Sequence, residues 1–184
     1  MYGLVNQAIE DLVRTHHGDQ AWEAIKRRAG VEIDAFVTME GYPDEMSYGL
    51  VAAASAELGA PAEALLEAFG EHWTLFTAER GYGAMFKMGG SSFKEFMLNL
   101  HSLHSKIALG FPRLQPPSFW CTDVTDTSLH LHYQSARQGF TPMLVGLVRG
   151  LGRMYQVDVT ITPQAAAAGE NAVLFVTFTP TPHA

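Results

Sequence analysis

The feature that most constrains this chain is a change of hydrophobic period. Through Phe111 the apolar residues recur every three or four positions, and beyond Pro112, Pro116 and Pro117 they recur every second one. A period near 3.6 puts apolar side chains on one face of a helix, and a period of 2 puts them on one face of a strand. The prolines enforce the change, because each lacks a backbone N–H and disfavours helix in the residue before it. The chain therefore reads as about 110 helical residues followed by a region built on strands.

Within the helical part, Leu4, Val5, Ala8, Ile9, Leu12 and Val13 form a first helix. Asp19 can cap a short second one that carries Trp22 and Ile25 and stops at Gly30. The turn Gly41-Tyr42-Pro43-Asp44 leads to a helix with Tyr48, Val51 and Ser55 on one side, ending near Gly59. Pro61 then sits where a first helical residue belongs, and helix continues with Leu65, Phe69, His72, Trp73 and Phe76 near one face. Four glycines in GYGAMFKMGG are expected to break the pattern. Ser92-Phe93-Lys94-Glu95 has the form of a capping box, opening a helix whose stripe is Phe93, Phe96, Leu100, Leu103 and Ile107. His104 lies at the edge of that stripe, and His101 points away from its centre.

Past the prolines, Ser118 to Val124 is a possible strand. SLHLHYQS alternates strictly, with Leu129, Leu131, Tyr133 and Ser135 on one face and His130, His132 and Gln134 on the other. Thr141-Pro142 can begin a helix, and QVDVTIT and AVLFVTF read as strands joined by the loop PQAAAAGEN. The order implies an α+β fold, an N-terminal helical lobe followed by a lobe with a mainly antiparallel sheet and a helix.

Composition narrows the function classes. The chain is 47% hydrophobic and 17% charged, which excludes a disordered solvating segment. Twelve Lys+Arg against nineteen Asp+Glu give a net charge of −7, so no nucleic-acid partner is expected. A single cysteine, Cys121, excludes an internal disulfide framework, a zinc ribbon and a cysteine-held iron–sulfur cluster. The start carries no basic leader, and no stretch is long enough to span a bilayer, so the expectation is a soluble, cytoplasmic protein without a membrane partner. A side-chain ligand to any metal or cofactor would be histidine.

Of the eight histidines, His16, His17, His72 and His183 read as surface or core residues. His101/His104 and His130/His132 could each be half of a zinc site, but no Cys, Asp or Glu completes either at ligand spacing. His104 alone, beside an apolar face, suits the single axial ligand of a haem, although such a stripe also reads as ordinary core. Tyr133, Ser135 and Arg137 share one parity, and in an extended chain their two hydroxyls and guanidinium would form a donor set for carboxylates such as haem propionates. Taken alone, an exposed strand end with ordinary polar residues explains them better.

Together, His104, the pair Pro116-Pro117, Tyr133-x-Ser135-x-Arg137 before an apolar helix, and the opening MYGLVNQAIEDLV resemble the haem nitric oxide/oxygen binding (H-NOX) family. That family includes stand-alone bacterial gas sensors, cyanobacterial ones among them, and the haem domain of soluble guanylate cyclase. The resemblance implies one domain over residues 1–184, with a helical lobe over about 1–60, a haem-enclosing α/β lobe over about 61–184, and haem between them. It implies a non-covalent b-type haem with His104 as axial metal ligand, Tyr133, Ser135 and Arg137 on the propionates, and Pro117 pressing the macrocycle out of plane. Relatives that hold dioxygen carry a distal tyrosine on the helix after this strand; the matching position here is Met143. Val5 and Met143 would be apolar pocket walls, and Trp73 the one plausible donor among them.

The expected function is a sensor for nitric oxide and carbon monoxide that forms no stable dioxygen complex. By the same resemblance it signals through release of His104 and relaxation of the haem, and it is not an enzyme. The output would be a separate protein, such as a histidine kinase or a cyclic-dinucleotide enzyme, since no output domain is expected within the 184 residues. Two other classes remain open at this level: a module carrying haem or another apolar ligand without signalling, and a haem redox enzyme. The second lacks an evident distal His–Arg pair.

Overall fold

The computed structural model describes residues 1–77, 80, 83–111 and 114–180. His183, Pro112 and part of the glycine-rich segment lie outside them.

The first helix, α1 (Gly3–Arg28), is broken at Gly18, whose φ of 82° and ψ of 172° no helix contains; a separate stretch does follow, but Gly18 stands at its cap position and the Asp19 carboxylate pairs with Arg14 instead of capping. It ends in Lys26, Arg27 and Arg28, favourable charges for a helix C-terminus. α2 (Asp44–Leu58) stops on Gly59 in the left-handed conformation. α3 (Ala62–Thr77) starts one residue after Pro61, whose carbonyl accepts the Leu65 N–H; Pro61 precedes the helix rather than opening it. The glycine-rich segment does not break helix throughout: α4 (Gly83–Gly89) is helical. Its two glycines stand at the ends, and the Ala-Met-Phe-Lys-Met between them carries no helix-breaking residue.

α5 (Phe93–Gly110) is capped by Ser92, which accepts from the Glu95 N–H at 3.2 Å. The Glu95 carboxylate reaches back to the N–H of Ser91 at 2.8 Å, one residue earlier than a standard capping box. The Ser91 hydroxyl, which donates to the same carboxylate at 2.7 Å, and then the Ser91 N–H hold its pKa below the usual carboxylate range.

The sheet contains β1 (Ser118–Thr122), β2 (Ser128–Gln134), β3 (Val157–Gln164) and β4 (Ala172–Pro180), all antiparallel, in the order β1-β2-β4-β3. α6 (Thr141–Met154) links β2 to β3. Leu129, Leu131 and Tyr133 turn inward as the alternation requires. The outer face carries His130 and His132; His132 stacks on Trp120 with centroids 5.1 Å apart, and His130 lies against Phe175 at 4.9 Å.

Two buried clusters result. One joins α1 and α2 to Phe69 and Phe76 of α3, and the other joins α5, the sheet and α6. α3 and α6 tie them together by close backbone approach, because a Cβ at Gly70 would run into the Met143 carbonyl and one at Gly146 into the Glu67 carbonyl. Arg149 to Glu67 and Arg153 to Glu71 bridge the same two helices at their edge.

Candidate functional site

Where the clusters meet there is a cavity of about 600 Å³, a size typical of small-molecule sites. Its wall brings together all eight residues singled out from the sequence: Val5, Trp73, His104, Pro117, Tyr133, Ser135, Arg137 and Met143. A second, almost wholly apolar compartment of about 240 Å³ adjoins it, sharing Tyr2, Val5, Trp73, His104, Leu114, Phe119, Leu144 and Leu147.

His104 is held from two directions. Its Nδ1 lies 2.9 Å from the Leu100 carbonyl one turn earlier, and since a carbonyl only accepts, Nδ1 carries the proton. Its pKa is lowered, chiefly by burial, so the ring is neutral and Nε2 keeps its lone pair. Phe119 packs against the ring at 5.0 Å. A histidine with one nitrogen fixed by a backbone carbonyl and the other open is the usual form of a metal-ligating imidazole.

Phe119 also touches Tyr133, at 5.5 Å and directly opposite it in the β1–β2 ladder. Burial raises the Tyr133 pKa, which keeps the phenol protonated. The strand ends at Gln134, so Ser135 and Arg137 do not continue its parity as an extended chain would. They reach the cavity through a turn instead, with the Ser135 Oγ accepting the Arg137 N–H at 3.1 Å. The guanidinium extends to Asp44 on α2, donating from Nε at 2.7 Å, and Nη1 donates to the Gln115 carbonyl at 3.3 Å. Asp44 also accepts from the Met1 amino group at 2.5 Å. Burial alone would raise its pKa; these two cationic donors outweigh it and hold the carboxyl below the usual range.

The rest of the wall is different in kind. Val5, Trp73, Met143, Leu144 and Leu147 offer hydrocarbon, one thioether and an indole, with no tyrosine from α6. Sequence reasoning missed Tyr2, Leu144, Leu147, Phe119 and Asp44. The helical spacing from Met143 to Leu147 signals the second of that pair, whereas nothing local signals Asp44.

Outside the cavity, three further histidines have acidic partners. His72 pairs with Asp11, His130 with Asp123 and His132 with Glu170. Among the described residues no group of three or more His, Cys, Asp or Glu is placed to hold a metal ion. Burial pushes the Cys121 thiol up to about 11, leaving it protonated and unreactive. No single helix among those residues is long and apolar enough to cross a membrane.

Comparison with known proteins agrees with this geometry. The chain is 30% identical over 162 residues to the soluble guanylate cyclase gcy-31 of Caenorhabditis elegans, covering 88% of this chain and 23% of that protein. It is 24% identical over 161 residues to the soluble guanylate cyclase 89Db of Drosophila melanogaster, covering 87% and 24%. The chain thus spans about a quarter of the length of these relatives. Among solved structures, an H-NOX protein from S. oneidensis in the Fe(II)NO state superposes with a TM-score of 0.86 at 17% identity, covering 97% of this chain and 99% of that one. An oxygen-binding H-NOX domain related to soluble guanylate cyclases, in its oxygen complex, gives 0.82 at 16% identity, with 100% and 98% covered. The sequence model for haem-NO-binding domains matches residues 2–163, nearly the whole described chain, and this protein belongs to that family, H-NOX.

Proposed function

We propose that this chain is a haem-based sensor of nitric oxide and carbon monoxide that forms no stable dioxygen complex. The observation that carries the reading is the convergence on one cavity of a neutral, backbone-fixed imidazole, a hydroxyl–guanidinium cluster and a hydrocarbon wall. That donor set fits a b-type haem. His104 Nε2 would ligate the iron, Tyr133, Ser135 and Arg137 would hold the two propionate carboxylates, and the apolar side chains would enclose the ring. Bound haem supplies the ferrous iron to which a diatomic gas attaches.

Gas selectivity rests on the apolar wall. Dioxygen on ferrous iron draws negative charge and gains from a hydrogen-bond donor, whereas nitric oxide and carbon monoxide depend on one far less. Met143 and Val5 have none to give, and the Trp73 indole is the single N–H in that part of the wall. For signalling, His104 is the switch. With haem bound, release of His104 would free α5, and Pro117, which stands in the same cavity wall, would be the rigid contact against the ring; loss of the link would let the helical lobe shift against the sheet. Such a two-state element is what coupling to a partner requires. The partner is a signalling protein of the histidine-kinase or cyclic-dinucleotide class, the setting is cytoplasmic, and this domain itself senses rather than catalyses.

The test is spectroscopic. Haem-loaded protein, reduced and given nitric oxide, is expected to show a shifted Soret band; in air the ferrous form stays unchanged or oxidises slowly. A dioxygen spectrum that persists in air overturns the selectivity, and a chain that does not retain haem overturns the reading as a whole.

A further inference from the structure

The segment between β3 and β4, which reads as a plain loop in the sequence, carries a residue that shapes the carboxylate-binding cluster. β2 and β4 pair as far as Tyr133 opposite Ala172. Just beyond, Asn171 makes two bonds to the other strand: its N–H donates to the Tyr133 carbonyl at 2.9 Å, and its side-chain Oδ1 accepts the Ser135 N–H at 2.6 Å. The amide side chain thus replaces the ladder partner that Ser135 lost when the strand ended. Ser135 in turn accepts the Arg137 N–H at 3.1 Å and stands beside Tyr133 in the cavity wall, so where Asn171 puts Ser135 sets how the three residues of the cluster are arranged.

The turn is itself anchored. Gly169 has a φ of 94°, and Glu170 accepts the Ala167 N–H at 3.1 Å and lies 3.1 Å from His132 Nδ1 on β2. Behind it lies a polar cavity of about 480 Å³ whose wall shares Ser135 and Pro116 with the main cavity. Without the Asn171 amide, water from that side competes for the Ser135 N–H.

We infer that Asn171 is a positioning residue for carboxylate binding by Tyr133, Ser135 and Arg137, an inference that rests on the haem-binding reading above. The test is the rate at which haemin passes from the loaded protein to excess apo-globin, compared across Asn171→Ala, Asn171→Asp, Ser135→Ala and Arg137→Ala. Asn171→Ala is expected to release haemin about tenfold faster, equivalent to about 1.4 kcal/mol. Asn171→Asp keeps the acceptor and is expected to stay within about twofold of the unaltered chain. In haem-free protein, the Ser135 amide should exchange faster in Asn171→Ala and not in Asn171→Asp. Asn171→Ala retaining haemin normally while Ser135→Ala and Arg137→Ala release it early overturns the positioning role alone. So does Asn171→Asp failing as badly as Asn171→Ala. Normal retention by all four overturns the carboxylate-cluster reading beneath it.

Discussion

The two walls of the cavity are built on opposite principles. On the α3/α6 side nothing that faces the cavity is fixed by a hydrogen bond from its own side chain; Trp73, Met143 and Leu147 stand where they do because the helices beneath them touch backbone to backbone. On the α5/β1/β2 side three residues are held by named hydrogen bonds: His104 with Leu100, Ser135 with Asn171 and Arg137, Arg137 with Asp44. One wall derives its shape from the rigidity of the scaffold and the other from local bonds. On the proposed reading, a wall whose one polar group is the Trp73 indole suits discrimination between small neutral gases, and a wall of oriented donors suits a charged cofactor edge.

The scaffold-built wall should be the easier to break by a single methyl. In Gly146→Ala the new Cβ meets the Glu67 carbonyl, which is helix backbone and cannot rotate aside. Separating α3 from α6 is expected to cost about 3 kcal/mol, roughly 10 °C of Tm in a chain of this size. Gly49→Ala is the control, because a Cβ there meets nothing within 4 Å and should add up to about 1 kcal/mol of helix propensity. Thermal unfolding of the pair checks this; equal melting temperatures would show that the close approach is not what holds this wall.

A second comparison sets a buried side chain, Phe119, against a half-buried one, Met143, across the cavity. Phe119 is 6% exposed and lies between the His104 and Tyr133 rings, so Phe119→Leu gives up two aromatic contacts. Each is worth about 0.5–1.5 kcal/mol, for an expected loss of about 1–3 kcal/mol. Met143→Leu on the opposite wall conserves volume, loses no directional contact, and should cost under about 1 kcal/mol. Denaturant unfolding midpoints rank the two; the reverse order would mean that the local contacts matter less than the fit against the helices.

How far each wall could be read from the sequence follows the same division. The His104 stripe, the Ser92 cap, the Gly59 stop and the inward Leu129-Leu131-Tyr133 face are local, set by spacing within one element, and the structure has them. Tyr133, Ser135 and Arg137 were grouped by parity, yet the strand stops at Gln134 and a turn brings them together; the grouping survives for a different physical reason. Asp44 lies 93 positions from Arg137 and Asn171 lies 36 from Ser135, so no local period could reveal either contact. The α3/α6 contact is legible only after the fact: Gly146 and Gly150 repeat at i, i+4, but nothing in α6 names Glu67 as the backbone they approach.

Asp44 joins the two constructions, since it opens α2 in the scaffold and bonds to Arg137 in the donor cluster. Its folded pKa is depressed, so the pair contributes stability above the ordinary aspartate range near pH 3.9, and that contribution disappears as pH falls through the lower folded value. Asp44→Asn removes the charge and keeps the shape. The unaltered chain should be more stable than the variant by about 1 kcal/mol near neutral pH, the scale for a partly exposed ion pair with well-directed hydrogen bonds. The difference should hold down to about pH 5 and then shrink toward nothing in acid. Urea unfolding at a series of pH values measures it. A gap that persists undiminished at pH 3 would mean that Asp44 acts through helix capping and shape rather than through its charge, and the two walls would then be joined by packing alone.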